Sequence, residues 1–279
     1  MTNLLIHSMS EFSDLILGCL NAAEARHIAE IGAEFGGMSQ LLANHAAQHE
    51  GSLTSIDPAP KPGFAEWAAS SDCVTHLADT SHRAMPGLHD IDAWVIDGDH
   101  NYYTVLGELR IADELARRDG KPLLAFLHDV SWPCARRDMY YAPDTLPPEW
   151  VHPHSWDGGV TLDDPGIRIG RGFRGAGQFA FANRAGGPRN GVLTAVEDFL
   201  DEARSADRSL AWAHVPAVLG LGILFDATAP WAADIAALVH PWHDNNLIAT
   251  LELNRLRNYL AVIDCQDREA SRIGGRAAA

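Results

Sequence analysis

Five side chains with acid, base or metal-binding chemistry follow two short apolar segments that predict buried strands. Residues 93–96 are followed by Asp97, Asp99 and His100, and residues 123–127 by His128 and Asp129. Functional residues of an open parallel sheet gather at the carboxyl ends of the strands, so two neighbouring strands would bring these five together. Carboxylates are ligands of the kind that Mg²⁺ prefers, and a histidine can take a proton from a hydroxyl group. These residues alone do not decide between metal binding and proton abstraction. Helix capping by Asp97 and simple packing by His100 are further alternatives.

A glycine-containing turn follows an earlier strand-like segment, residues 26–29. Its pattern is Glu30-x-Gly32-x-x-x-Gly36, and from Ser39 onward the apolar residues recur at helical spacing. Glycines allow close approach of the backbone or a positive φ, and the start of a helix presents unpaired N–H groups. The pattern predicts a ligand-binding turn, with a plain β–α turn as the alternative. It is not the dinucleotide-binding motif, because a glutamate occupies the position of the second glycine, and no Gly-Lys-Ser/Thr follows for a P-loop.

Two further strand ends carry acidic residues. Asp57 follows the predicted strand 52–56 and suits the ribose hydroxyls of a bound nucleoside, as in dinucleotide-binding folds. Its alternative role is that of a turn residue before a proline. The predicted strand 73–77 leads into Asp79 and Ser81, where Asp79 alone is equally well explained as a helix N-cap.

Further elements must hold these strand ends in place. Apolar residues in the first twenty positions follow a helical stripe, which predicts a lead-in helix that covers the sheet edge. Residues 193–200 predict a second helix by the same spacing. Two apolar runs, residues 210–215 and 219–225, then predict a closing hairpin.

A long segment without periodicity separates the fifth predicted strand from these last elements. Residues 131–189 are rich in proline, glycine, tryptophan and histidine, which favours a lid or substrate loop over a linker, with a partly disordered surface loop as the alternative. We expect an α/β domain over residues 1–226 that contains this insertion, and a helical extension over residues 227–279. The extension carries one apolar helical stripe, formed by Leu253, Leu256, Leu260 and Ile263. Such a stripe packs on the core or joins two subunits of a homodimer.

The order of these motifs resembles that of the class I S-adenosylmethionine (SAM)-dependent methyltransferases. The features that carry the resemblance are Glu30-x-Gly32-x-x-x-Gly36, Asp57, Asp97-Gly98-Asp99-His100, His128-Asp129 and the hairpin. They look most like the small-molecule O-methyltransferase branch with a D-G-D-H motif, over residues 25–130 and, less closely, 190–226. The resemblance implies a Rossmann-like α/β fold, with a mostly parallel seven-stranded sheet, an antiparallel last strand and helices on both faces.

The resemblance also implies an activity and a role for each candidate residue. The activity is transfer of a methyl group from SAM to a small polar acceptor, such as a hydroxyl of a sugar or natural product. An N-methyltransferase on the same fold and a non-catalytic cofactor-binding protein are the alternatives. The implied cofactor contacts are Glu30, Gly32, Gly36, Ser39, Asp57, Asp79, Ser81 and Asp97. The implied Mg²⁺ ligands are Asp97, Asp99 and Asp129. Because His128 stands where some relatives have an acidic residue, a metal-free site with His100 or His128 as general base is also considered.

The charge and composition of the chain argue against some classes of binding partner. The formal net charge of −16 argues against a nucleic-acid substrate, which requires a basic surface. The four cysteines lack the paired spacing of a disulfide framework or a zinc knuckle. No cleavable signal peptide and no uncharged apolar run of membrane-spanning length is recognisable. We therefore expect a cytoplasmic protein that binds neither nucleic acid nor a membrane.

Overall fold

A seven-stranded sheet forms the centre of the computed structural model, which describes residues 5–277 and the side chains up to residue 270. The strands are β1 (His27–Ile31), β2 (Ser52–Ile56), β3 (Val74–Leu77), β4 (Ala93–Ile96), β5 (Leu124–His128), β6 (Met139–Tyr140), β7 (His154–Ser155), β8 (Gly158–Gly159), β9 (Arg168–Ile169), β10 (Ala180–Ala182), β11 (Leu210–Val215) and β12 (Leu221–Asp226). The central sheet has the order β11-β12-β5-β4-β1-β2-β3, and β12 is reversed relative to the other six strands. The predicted fold, a mostly parallel sheet with an antiparallel last strand, is confirmed.

The apolar character of β4 and β5 follows from their position in the middle of the sheet. Every residue of both strands is buried, as expected where helices cover a parallel sheet on either side. In the strand register, Ile31 of β1 pairs with Ile96 of β4, and Ile96 pairs with Leu127 of β5. The residues that directly follow these three strands therefore lie level with one another at one edge of the sheet.

Helices cover both faces of the sheet. They are α1 (Ser13–Ala22), α2 (Gly37–Gln48), α3 (Phe64–Ala69), α4 (Ser81–Ala84), α5 (Tyr102–Asp119), α6 (Val192–Ser205), α7 (Ala232–Val239) and α8 (Asn246–Ala277). On one face, α5 and α6 enclose a core that contains Trp94 and Leu127. On the other face, α1, α2 and α7 enclose a core that contains Val95 and Phe126. The prediction that the first helix covers the sheet edge is wrong, because the buried Ile16 of α1 packs over these central strands.

Short strands organise the insertion between β5 and α6. Strands β6, β10 and β7 form an antiparallel sheet, and β8 pairs with β9. The expectation of a segment without regular structure is corrected here, since strands of two or three residues are too short to show an alternating pattern. Tyr140 and Phe181 are fully buried within this insertion.

A buried carboxylate ties the insertion to the two helices that flank it. The Oδ1 of Asp138 accepts the backbone N–H of Tyr102 at the start of α5, at 2.8 Å, and that of Gly191 just before α6, at 2.7 Å. The N–H of Met139 donates to the carbonyl oxygen of His100 at 3.0 Å. The insertion therefore begins directly beside the predicted site.

The C-terminal helix α8 packs on the hairpin and on the insertion. Of the predicted apolar stripe, only Leu256 is fully buried, in a cluster with Leu5 and Leu219. Arg174 of the insertion forms an ion pair with Asp267 of α8 at 2.6 Å. Within residues 5–277, no helix combines the length and the apolar character needed to cross a membrane.

Candidate active site

The glycine turn after β1 passes directly over the end of β4. Gly32 has a φ of 85°, and a Cβ built on it would lie 2.2 Å from the carbonyl oxygen of Asp97. No side chain fits there, so this close approach requires glycine. Gly36 has a φ of 79° and precedes α2 as its N-cap residue, without a side-chain cap. The start of α2 therefore presents backbone N–H groups that suit an anionic ligand.

Asp57 braces this turn from the end of β2. Its Oδ2 accepts the N–H groups of Ala33, at 2.9 Å, and Glu34, at 3.2 Å, and its Oδ1 accepts that of Ala59 at 2.8 Å. The sequence suggested a ribose contact for this carboxylate. In the structure it fixes the backbone of the turn and stays partly exposed at its edge.

Glu30 and Ser39 lie beneath the turn. Glu30 is 2% exposed, and its Oε2 accepts the hydroxyl groups of Ser39, at 2.6 Å, and Ser55, at 2.7 Å. Burial raises the pKa of Glu30 to about 7, although the two hydroxyl donors act in the opposite direction. Both side chains are turned into the core, so they support the turn and do not reach its surface.

Asp79 and Ser81 follow β3, which is level with β2 in the sheet. The Oδ1 of Asp79 accepts the N–H of Thr80 at 2.8 Å, and its carboxylate pairs with Arg83 at 3.4 Å. Thr80 is the N-cap residue of α4, so the capping role considered for Asp79 is wrong. Ser81 is buried as the first residue of that helix.

Four side chains converge where β4 and β5 end. The Oδ1 of Asp97 lies 3.3 Å from Nε2 of His100 and 3.1 Å from Nδ1 of His128. The Oδ2 of Asp129 lies 2.9 Å from Nε2 of His100 and 3.4 Å from Nδ1 of His128. Each carboxylate therefore faces both rings, and each ring faces both carboxylates.

The two carboxylates dominate the electrostatics of this cluster. Burial lowers the pKa of His100, but Asp129 and Asp97 outweigh burial and raise the pKa to about 10. The same two carboxylates raise the pKa of His128 well above its ordinary value, again against the effect of burial. Without a metal ion, these contacts favour the protonated form of both rings. A protonated ring lacks the free lone pair that a general base needs.

His128 is held on its other side by the hairpin between β11 and β12. Its Nε2 lies 2.9 Å from the carbonyl oxygen of Val218, which can only accept a hydrogen bond, so Nε2 carries a proton. Nδ1 then faces the two carboxylates. A lone pair pointing at two carboxylate oxygens is repelled, so the arrangement favours a cation at this point, either a proton on Nδ1 or a metal ion.

The donor atoms of the cluster fit a divalent metal ion. Asp97, His100 and Asp129 each offer one ligand atom, and these atoms lie within 4.8 Å of one another. Neighbouring donors in a site with bonds of ~2.1 Å are separated by roughly 3 Å, which agrees with the contacts described above. Imidazole nitrogen suits transition metals such as Zn²⁺, whereas Mg²⁺ prefers oxygen ligands. The donor set therefore favours a transition metal.

Asp99 points away from this cluster. Its Oδ2 accepts hydrogen bonds from the side chains of Asn101 and Thr104, and its Oδ1 is buried. Burial raises the pKa of Asp99 to about 6. Its position does not support the role of third metal ligand that the sequence suggested. His100 offers the third possible ligand atom instead.

Sequence reasoning missed Glu108, which lies behind His100 on the buried face of α5. Both carboxylate oxygens of Glu108 are buried, with the Ser81 side chain as a neighbour, and Nδ1 of His100 is buried as well. Burial raises the pKa of Glu108 to about 8. A neutral Glu108 is therefore the main form at pH 7.

The insertion adds an aromatic side chain to the site. Tyr141 is 50% exposed, and its ring centre lies 6.2 Å from those of both His100 and Phe179. The sequence showed two adjacent tyrosines but not which of them faces the site. Tyr140, the last residue of β6, is buried in the core of the insertion, whereas Tyr141, the residue after it, is half exposed.

A second polar chain, also missed in the sequence, begins just after the cluster. The Oγ of Ser131 lies 2.8 Å from Nε2 of His214, whose Nδ1 lies 2.8 Å from Oδ1 of Asp244. This is the hydrogen-bond order of a serine nucleophile and its base. However, the N–H of Ser131, which could serve as an oxyanion donor, already donates to the carbonyl of Leu219 at 2.8 Å. The chain of hydrogen bonds therefore links the end of β5 to the hairpin.

A family match covers the part of the chain that builds this edge of the sheet. Residues 29–130 match the family model described as "Methyltransferase domain". The matched segment runs from β1 to just beyond β5, and it contains the glycine turn and the cluster. This segment of the chain is therefore similar to methyltransferase domains. The insertion and the C-terminal helices lie outside the match.

Among the solved structures that resemble this chain, two O-methyltransferases are similar at low sequence identity. An O-methyltransferase from Bacillus cereus, in complex with SAH, is 16% identical, with 80% of this chain and 84% of that chain covered and a TM-score of 0.46. The O-methyltransferase TomG from Streptomyces achromogenes, involved in tomaymycin synthesis and in complex with SAM, is 18% identical, with 79% and 82% covered and a TM-score of 0.45. No curated protein matches the chain significantly.

Proposed function

We propose that this protein is a SAM-dependent methyltransferase, which moves a methyl group from SAM to a hydroxyl of a small polar acceptor with a divalent cation held at the cluster. The observation that carries the proposal is the position of Asp97, His100 and Asp129 at the sheet edge, directly under the glycine turn. An acceptor bound at the cluster would lie beside a cofactor bound at the turn. Placing the two reactants together contributes ~7–11 kcal/mol to lowering the barrier of a bimolecular step.

Several residues at this edge suit SAM. When bound, SAM supplies a methyl group on a positively charged sulfur. The turn at Gly32 lets the backbone approach the ligand, and the start of α2 offers N–H groups to its carboxylate. Asp57 and Asp79 follow β2 and β3, where the ribose and adenine would lie. Glu30 and Ser39 act indirectly in this proposal, by holding the turn from below.

The cluster supplies the means to activate the acceptor. Asp97, His100 and Asp129 would hold the cation, and Nδ1 of His128 faces the same carboxylate oxygens. A cation there stabilises a deprotonated hydroxyl and orients it. Because imidazole groups take part, we propose Zn²⁺ or a similar transition metal in place of the Mg²⁺ inferred from the sequence. A metal-free histidine base is less favoured, since both rings are held protonated by the carboxylates.

The insertion and α8 suggest the nature of the partners. Tyr141 and Phe179 present an aromatic surface beside the cluster, which suits a flat or ring-shaped acceptor such as a sugar or a natural-product scaffold.

Leu247 and Leu251, one turn apart on α8, are 68% and 61% exposed. We propose that they contribute to a homodimer.

Calorimetry tests the two halves of this proposal separately. SAM is titrated first, and Zn²⁺ and Mg²⁺ are then titrated into separate samples of the wild type, of Asp129→Asn and of a control, Asp144→Asn, which changes an exposed carboxylate of the insertion. We expect SAM to bind all three proteins, and Zn²⁺ to bind Asp129→Asn at least ~10-fold more weakly, since a ligand is lost. Failure of SAM to bind would refute the cofactor assignment, and unchanged Zn²⁺ affinity in Asp129→Asn would refute the metal site. Transfer of labelled methyl to a panel of hydroxylated acceptors then identifies the acceptor.

A further inference from the structure

The turn between β11 and β12 has an unusual backbone. The N–H of Gly220 donates to the carbonyl of Ala217 at 2.7 Å, which closes a four-residue turn. The two central residues, Val218 and Leu219, have φ values of 46° and 66°. Positive φ at both positions is the pattern of a type I′ turn, which favours asparagine and glycine there. A β-branched valine with positive φ is a genuine outlier, so contacts outside the turn must hold it.

One peptide group of this turn makes two opposed contacts. The carbonyl oxygen of Val218 accepts the Nε2–H of His128 at 2.9 Å. The N–H of Leu219, at the other end of the same peptide group, donates to Oε1 of Glu252 at 3.1 Å. Because the C=O and N–H of a trans peptide point in opposite directions, Glu252 determines where the Val218 carbonyl points.

Glu252 is itself held firmly on α8. It is 9% exposed, and its two oxygens accept hydrogen bonds from Arg255, both at 2.6 Å. Arg255 also donates to the carbonyl of Ile6 at 2.8 Å. From the opposite side, the N–H of Ser131 donates to the carbonyl of Leu219 at 2.8 Å. The strained turn is thus clamped between the end of β5 and the C-terminal helix.

We propose that Glu252 is a positioning residue for His128. By holding the Val218–Leu219 peptide group against its backbone preference, Glu252 keeps a carbonyl on Nε2 and so directs Nδ1 at the two carboxylates of the cluster. Without this acceptor the turn relaxes toward negative φ values, and the carbonyl leaves His128. The C-terminal extension, which lies outside the family match, therefore takes part in building the active site. The name active site rests on the proposed function, whereas the effect of Glu252 on His128 does not.

Nitrogen-resolved NMR of the full chain, labelled with ¹⁵N-histidine and without SAM, tests this proposal. The His128 signals are assigned by their absence in His128→Gln. In the wild type we expect a protonated Nε2 that exchanges slowly with water, because it is buried and hydrogen-bonded. Glu252→Ala should speed this exchange about 10-fold, as expected for loss of a hydrogen bond that holds the acceptor. Glu252→Gln keeps an acceptor oxygen for Leu219 and should retain slow exchange. Equal acceleration in both variants would overturn the proposal, because it would assign the effect to the ion pair with Arg255.

A rescue variant separates positioning from general destabilisation. Asparagine tolerates positive φ, so Val218→Asn favours the observed turn without help from Glu252. We expect Glu252→Ala/Val218→Asn to recover slow exchange at His128, and the absence of recovery would contradict the proposal. If Glu252→Ala does not fold, the single variant Val218→Asn tests the proposal. Slower exchange at His128 than in the wild type supports the proposal, and unchanged exchange overturns it. Because no methyl transfer is measured, these results stand whether or not the proposed function holds.

Discussion

Replacing Glu30 by glutamine is expected to stabilise the protein in alkaline solution and to change little in acid. Folding buries Glu30 and raises its pKa from 4.5 to about 7. An acid whose pKa is raised by folding stabilises the fold in its protonated form. Its contribution is therefore complete below the unfolded pKa and is lost as the pH rises through the folded value near 7. The difference between the two pKa values corresponds to ~3 kcal/mol at pH 8.

Urea unfolding at pH 5 and pH 8, followed by circular dichroism, measures this effect. Glutamine keeps an oxygen that can accept the hydroxyl groups of Ser39 and Ser55, so the main change is the loss of charge. Relative to the wild type, Glu30→Gln should gain ~2–3 kcal/mol of unfolding free energy between the two pH values. The control is Glu66→Gln, an exposed change on α3 that should show no such gain. A difference from the wild type that is the same at both pH values would refute the reasoning.

Three further predictions concern the acceptor, the turn and the dimer. Tyr141→Ala should raise the KM for the acceptor about 10-fold and leave the Kd for SAM unchanged, because the ring borders only the acceptor side; steady-state kinetics and calorimetry check this. Gly32→Ala should lose more than ~3 kcal/mol in urea unfolding because of its backbone clash, whereas Gly87→Ala, with open space around it, should change stability little. Leu251→Glu should shift the protein from dimer to monomer in sedimentation velocity, and an unchanged dimer would exclude the face around Leu247.

The shared edge of the strands could be predicted because it depends mainly on strand position. The sequence indicated strands at residues 52–56 and 93–96, and the structure has the same bounds for β2 and β4. Once β4 and β5 are neighbours in a parallel sheet, their ends must meet. Asp97 and Asp129 both contact His100, and this contact depends only on the few residues that follow each strand.

Side-chain direction beyond a strand end could not be predicted in the same way. Alternation fixes direction within a strand but not after it, so Asp99 was grouped with the ligands although His100 faces them. Glu30 lies inside β1 and points into the core, where two serines bind it. The hydrogen bond between His128 and the carbonyl of Val218 could not be predicted from the residues near either position, because the two lie 90 positions apart. These features depend on long-range contacts that one sequence does not display.

The carboxylate of Asp138 sets limits on exchanging the acceptor-facing insertion between proteins. Asp138 binds the N–H of the first residue of α5 and the N–H of the residue just before α6, where its negative charge also gains from both helix dipoles. Its own N–H donates to the side chain of Asn190 at 2.8 Å, so the two ends of the insertion are fastened to each other. A chimera designed for a new acceptor should therefore join the foreign loop after Tyr140 and before Asn190. A graft that removes Asp138 or Asn190 would break the contacts that hold α5, α6 and the loop together.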